Sequence, residues 1–208
     1  MRFGGASGAW VNAREINLVL AFLPAAGRVL DLGCGTGRLA NALAPRQSVF
    51  GVDTSNAMLA QARERTGPVF AQADAFTLPF ADAAFDAVTA LRFAFHFESL
   101  DMFLRQARRV VKPGGVVVFD TYLWSPRAWL PIDRARWGTG VYVHPPRRVE
   151  ASAQQIGFRV QARQTCFLFS PYLYRRLPLA LVRGLERIEA HLPPRFHARV
   201  FWKLERAD

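Results

Sequence analysis

The stretch Val29-Leu30-Asp31-Leu32-Gly33-Cys34-Gly35-Thr36-Gly37 decides how this chain is read. An apolar run ends in an acid, and three glycines follow at alternate positions. The run 28–32 reads as a buried strand. Glycines have no Cβ, so the chain turns tightly there and comes close to a ligand. Arg38-Leu39-Ala40-Asn41-Ala42-Leu43 then opens a helix, whose first N–H groups lack intrahelical partners and face the turn. A strand, a glycine turn and a helix N-terminus in that order cradle nucleotides and nucleosides.

Working outward, two more acids keep step with the first. Ser48 to Val52 is a second apolar run, and it ends in Asp53. That acid follows the first glycine by about twenty residues, the spacing of a carboxylate on ribose hydroxyls. Asp74 follows a shorter apolar stretch, Val69-Phe70-Ala71. A nicotinamide or flavin site needs G-x-G-x-x-G, with the third glycine packing helix on strand. Here Arg38 stands at that third place, which excludes the simple dehydrogenase reading.

Periodicity predicts strands near 28–32, 48–52, 69–72, 85–90 and 115–121, with helices near 37–44, 55–65 and 100–111. Thr54-Ser55 supplies a cap for the second of these helices. An earlier helix is expected over 13–23, from the spacing of Ile16, Val19, Leu20 and Leu23. Short apolar runs alternating with helical patterns imply a parallel sheet with right-handed crossovers. Further on, 145–155 reads as a helix stopped by Gly157, and 158–169 as a strand. A helix is expected within 177–192, with Leu181, Leu185 and Ile188 on one face. The end, 200–206, alternates as a strand would, although Phe196, Val200 and Leu204 are also spaced for a helix. The strand is favoured because it supplies the sheet's last member.

The chain has 208 residues, half of them apolar, enough for one domain with a sizeable core. No stretch is long and charge-free enough to span a bilayer, and residues 1–8 have no signal-peptide apolar core. Two cysteines, Cys34 and Cys166, give no disulfide framework, so a reduced cytoplasm is the expected compartment. The formal charge is +11. An arginine- and alanine-rich composition accounts for that by itself. An acidic partner accounts for it equally: nucleic acid, an anionic membrane surface or a phosphorylated substrate.

Five blocks together resemble class I S-adenosylmethionine-dependent methyltransferases, in the small-molecule branch that serves ubiquinone and menaquinone biosynthesis. They are Val29–Gly37, Gly51-Val52-Asp53-Thr54-Ser55, Ala73-Asp74-Ala75 with Leu78-Pro79-Phe80, Phe85-Asp86-Ala87-Val88, and Val111-Lys112-Pro113-Gly114-Gly115. The resemblance implies a Rossmann-like, doubly wound α/β fold, with a seven-stranded, mostly parallel sheet and an antiparallel last strand. It implies S-adenosylmethionine as cofactor. Asp31 would lie near the methionine amino group, with Gly33, Gly35 and Gly37 along the methionine and ribose. Asp53 would take the ribose hydroxyls. Thr54 and Met58 would wall the adenine, although Met58 also suits a core-filling role. Asp74 and the Ala75 N–H would read the adenine edge, and Arg92 would line the pocket through its backbone.

The catalytic group is less plain. After the fourth strand, nitrogen methylases of nucleic acid carry a D/N-P-P-Y/F motif, and this chain has Arg92-Phe93-Ala94-Phe95-His96-Phe97 instead. That argues against nucleic-acid base amines. His96 is the candidate general base; its other reading is a histidine packed among Phe93, Phe95 and Phe97. Residues 122–144, rich in Tyr and Trp, follow a strand end and so lie beside the ligand crevice, as a substrate cover or as a surface excursion. The expected division is one methyltransferase domain, 1–208. Within it, 28–121 is the cofactor half, and 122–144 and 171–195 are substrate-side insertions that bound the acceptor pocket with the N-terminal helix. The expected acceptor is a small molecule of lipid-like character, at or near an anionic membrane surface. The alternative is a non-catalytic or nucleic-acid-associated protein of the same fold.

Overall fold

The computed structural model describes residues 5–64, 66–126 and 140–208. The chain builds a seven-stranded sheet in the order β3-β2-β1-β4-β5-β7-β6. Its strands are β1 (Arg28–Leu32), β2 (Ser48–Asp53), β3 (Val69–Gln72), β4 (Phe85–Ala90), β5 (Val111–Tyr122), β6 (Phe158–Cys166) and β7 (Arg199–Arg206). The helices are α1 (Ala6–Phe22), α2 (Arg38–Leu43), α3 (Asn56–Arg63), α4 (Asp101–Val110), α5 (Pro146–Ile156), α6 (Pro171–Tyr174) and α7 (Leu179–Glu189). β1 to β5 pair in parallel. β7 runs antiparallel between β5 and β6, with Phe119 opposite Trp202. The fold is therefore the expected Rossmann-like α/β sheet with its last strand reversed, and 200–206 is a strand.

The central strands are apolar at nearly every position because both sheet faces are covered. Side chains alternate between faces along a strand. Leu30 and Leu32 join the core under α4 and α5, with Phe103, Leu104, Val149 and Trp202. Val29 joins the opposite core, with α1, α2, α3, α6 and α7 contributing Val11, Leu39, Leu59, Tyr174 and Val182. The chain winds outward from β1 to β3, then returns to β4 on the other side of β1. That reversal opens a crevice at the carboxyl ends of β1 and β4, where ligands bind in open α/β sheets.

α1 begins at Ala6, seven residues before the expected helix. Small Ser7 and Gly8 are buried there, and Ser7 Oγ donates to the Leu177 carbonyl at 2.7 Å. The helix also carries a buried charge. Glu15, in mid-helix, is fully buried. Its Oε1 accepts from Arg92 Nε and Nη2, at 3.0 and 2.8 Å, and from Arg199 Nη1; its Oε2 accepts from Arg38 Nη1 at 3.2 Å. Arg199, also fully buried, donates through Nη2 to Asp120 on β5. Burial alone would raise the Glu15 pKa, but Arg92, Arg199 and Arg38 outweigh it and hold the carboxyl at about 2.

Removing one member of such a cluster leaves the others buried without compensation. Glu15→Gln is expected to cost about 3–5 kcal/mol in chemical denaturation. The folded value lies below the ordinary 4.5. This stabilisation is therefore complete above pH 4.5 and is lost as the pH falls toward about 2. A Glu15→Gln protein should lack that limb of the wild-type stability profile.

Candidate active site

The first glycine turn follows β1 at the crevice. Asp31 is buried beneath it, and its Oδ1 accepts from Thr89 Oγ1 of β4 at 2.9 Å. Its Oδ2 is buried with no hydrogen-bond partner among the described residues. Burial pushes the Asp31 carboxyl up to about 7, against the opposing pull of Thr89 and the Arg38 charge. Gly33 has φ 62°, and a Cβ there would lie 2.6 Å from the Phe93 ring. Gly37 has φ 71°, with Asn41, Phe70 and Ala62 around the place a Cβ would take. It thus lets the start of α2 pack on α3, a closer role than contact with ligand.

Asp53 ties two loops together. Its Oδ2 accepts the Gly35 N–H at 2.8 Å and its Oδ1 the Ser55 N–H at 2.9 Å. A carboxylate has about four lone-pair directions, so each oxygen keeps one for a ligand hydroxyl. Ser55 also caps α3 by accepting from the Met58 N–H at 3.4 Å. Met58 Sδ stands 3.5 Å from where a Gly35 Cβ would be, and the side chain is 36% exposed. It therefore stands over the glycine turn, partly exposed, outside the buried core. The third acid follows directly, since the Ala73 N–H donates to the Asp53 carbonyl at 3.2 Å. Asp74 is exposed and accepts the Phe76 N–H at 2.9 Å, while Ala75 is buried beside it. Thr54 is exposed, and its carbonyl accepts from Gln72 Nε2 at 3.0 Å. Asp31, Gly33, Gly35, Asp53, Thr54, Met58, Asp74 and Ala75 thus follow one sheet edge.

Residues 30–119 match the protein family described as "Methyltransferase domain". This segment of the chain is therefore similar to methyltransferase domains. It is 36% identical over 124 residues to 27-O-demethylrifamycin SV methyltransferase of Amycolatopsis mediterranei, covering 55% of this chain and 46% of that protein. It is 42% identical over 123 residues to demethylmenaquinone methyltransferase of Thermus thermophilus, covering 55% of this chain and 54% of that one. The chain thus spans about half the length of these relatives. In fold it resembles an S-adenosylmethionine-dependent methyltransferase of Mesorhizobium loti (TM-score 0.70, 21% identity, 97% of this chain and 99% of that one). It also resembles geranyl diphosphate C-methyltransferase of Streptomyces coelicolor (TM-score 0.72, 20% identity, 94% and 76%).

The methyltransferase cofactor, S-adenosylmethionine, fits these residues on two counts. A buried carboxylate oxygen without a partner is matched by an ammonium group, and Asp53 has lone pairs left for a diol. Beyond the cofactor edge, Arg92 holds φ 60°, fixed by its N–H to Asp120 Oδ1 at 2.6 Å. Its guanidinium goes to Glu15, so only the backbone is directed along the strand end. His96 is half-buried on a short 3-10 turn, with its ring 4.7 Å from that of Phe95. Of the aromatic loop, Trp129 and Trp137 lie outside the described residues. Tyr142 donates its N–H to the Phe95 carbonyl at 2.8 Å, and His144 to that of Tyr122 at 3.0 Å, so the loop's end is fastened to β5 and the His96 turn.

Sequence reasoning missed three groups here. Glu15 and Asp120 carry no local motif. His144 is buried, its Nε2 has no partner among the described residues, and burial lowers its pKa.

The Asp31 shift has a stability signature. A folded value of about 7 against the ordinary 3.8 means the folded protein binds the extra proton between those limits. Ligand-free stability relative to Asp31→Asn should therefore fall as pH rises from 3.8 to about 7 and stay level above. Urea melts of both proteins across that range check it.

Proposed function

We propose that this chain transfers a methyl group from S-adenosylmethionine to a small, amphiphilic acceptor in a reducing, cytoplasmic setting. The carrying observation is the unpartnered, buried Asp31 oxygen beside the glycine turn, in line with Asp53. When bound, S-adenosylmethionine supplies a methyl already activated by a sulfonium. Asp31 in its charged form receives the ammonium of the methionine end, Asp53 receives both ribose hydroxyls, and Asp74 with the Ala75 N–H reads the adenine. Met58 and Thr54 close the sides, and Arg92 contributes main chain. These groups then act mainly by orientation and by keeping water away from the methyl.

Residues 28–121 form the cofactor half in this reading, with 122–144, 171–195 and α1 as acceptor walls. A small acceptor agrees with relatives named for demethylrifamycin and demethylmenaquinone, and with a fold neighbour named for geranyl diphosphate. An amphiphilic one agrees with the aromatic lining. Phe93 packs against Phe97 at 4.9 Å, Phe95 against Tyr122 at 4.8 Å, and Trp124 against Phe169 at 6.3 Å. Both cysteines are free and buried, in keeping with a reducing compartment.

Calorimetry on the pure protein should give micromolar or tighter binding of S-adenosylmethionine and of S-adenosylhomocysteine. Asp53→Ala should weaken both by about 100-fold, from two charge-assisted bonds of about 1.5 kcal/mol each. No heat with either ligand, with saturable NAD binding instead, overturns the reading. His96 receives the acceptor's proton where the nucleophile carries one. With labelled methyl transfer into a cell extract as the assay, His96→Asn should lower turnover by about 10²-fold or more and leave cofactor affinity unchanged. Equal turnover would return His96 to a packing role.

A further inference from the structure

Eight large apolar side chains are exposed among the described residues, and five of them fall within 169–196: Phe169, Leu173, Leu181, Ile188 and Phe196. Single exposed apolar residues are ordinary; a cluster of them marks an interaction surface. On α7 the sequence expected Leu181, Leu185 and Ile188 to share one face. They do lie within about 60° of one another, but the edge of the core runs between them. Val182 is buried and Leu185 packs into the core against α1, while Leu181 and Ile188 are 57% and 54% exposed. At 100° per residue, Arg183 and Arg187 flank the other side of that outward arc, and Gly184 between them faces open space.

Charge is sorted the same way. Both carboxylates of the segment pair with Arg14 of α1, Glu189 buried and Glu186 half-exposed. Glu189 accepts from its Nη1 and Nη2 at 3.1 and 2.5 Å, and Glu186 lies 4.0 Å from its Nε. Arg176, Arg183, Arg187 and Arg195 remain exposed on the outside. We propose that this outer face of 169–196 docks on an anionic lipid bilayer, with Leu181 and Ile188 entering the headgroup boundary and the arginines meeting lipid phosphates.

A second copy of the chain is a poorer occupant. A two-fold interface sets the same patch on both sides, so four exposed arginines would oppose four others, with Glu186 the one half-exposed acid of the segment to offset them. An aliphatic stripe flanked by arginine is the composition of a helix lying in a membrane interface. The face is continuous with the crevice, since Trp124 at the end of β5 donates its Nε1–H to the Phe196 carbonyl at 3.3 Å. The proposal builds on an amphiphilic acceptor, which a bilayer would present beside the crevice.

The test is sedimentation of the full chain with phosphatidylcholine vesicles, and with vesicles of phosphatidylcholine and phosphatidylglycerol. Partitioning is expected only with the anionic vesicles, weakening as salt rises. Arg183→Glu with Arg187→Glu should lower it by about 30-fold or more, taking about 1 kcal/mol per basic residue at the surface. Leu181→Gln with Ile188→Gln should also lower it, with melting temperature unchanged for both pairs. The idea fails if the folded protein ignores anionic vesicles, binds neutral ones equally, or keeps its binding in both double variants. It also fails if light scattering finds a dimer that the Leu181→Gln, Ile188→Gln protein loses. S-adenosylhomocysteine calorimetry on the same samples separates the two ideas: cofactor binding without vesicle binding sinks the docking alone, and vesicle binding without cofactor binding sinks the methyltransferase reading alone.

Discussion

The Glu15 carboxylate, fully buried and met by three guanidiniums, holds together parts of the chain that no local rule would join. Arg38 begins α2, Arg92 follows β4, and Arg199 begins β7. Asp120, near the end of β5, completes the set by taking Arg199 and the Arg92 N–H. The left-handed backbone of Arg92 is maintained by that last bond. Three strand ends and two helices therefore share one hydrogen-bonded cluster at the mouth of the crevice. A buried ion cluster is weak as net stabilisation, because desolvation offsets most of the attraction. Its effect here is geometric, since α1 has one position in which Glu15 meets all three partners.

The strand ends and turns that carry the expected cofactor residues were legible in the sequence, because they are made of local devices. A glycine turn, an acid at the end of a strand and a serine cap are each set by neighbours in the chain. Asp53 shows this well: its two side-chain hydrogen bonds go to Gly35 and Ser55, both within the motifs of the cofactor half. The parallel pairing of the first five strands followed from the alternation of strands and helices. Glu15 and Arg199 were invisible for the opposite reason. They are 184 residues apart, and a glutamate in a helix reads as solvent-facing until a partner is known. The same blindness misplaced the start of α1, where Ser7 and Gly8 look like a loop but pack against the 171–195 insertion.

The high positive charge divides into two populations once contacts are known. Arg109 donates to the Leu78 and Phe80 carbonyls, Arg206 to those of Arg108 and Val111, and Arg14 to Glu189. With the three at Glu15, these arginines serve as internal fasteners, where a planar, always-charged fork is better suited than lysine. Composition alone could not separate them from arginines meant for a partner. Arg176, Arg183, Arg187 and Arg195 are exposed and make no hydrogen bond to a carboxylate or main-chain carbonyl among the described residues, and that difference gives part of the net charge a location.

The charge at the crevice depends on one group. Counted without Asp31, the buried cluster has three cations, Arg38, Arg92 and Arg199, against two anions, Glu15 and Asp120. Ionising Asp31 balances it, and the Arg38 charge already favours that step. Burial opposes it and holds the carboxyl at about 7, so near neutral pH the ligand-free protein contains both forms. A ligand ammonium beside the unpartnered oxygen favours the ionised form by direct attraction. Binding a cation at the end of β1 would thus complete the charge balance of a cluster that also fixes α1, the His96 turn and the start of β7. Tyr172 of α6 joins that arrangement, with the Arg92 guanidinium 6.0 Å from its ring centre. α6 is therefore packed against the same arginine that answers to Glu15, so it and the strand ends at the crevice share one electrostatic support.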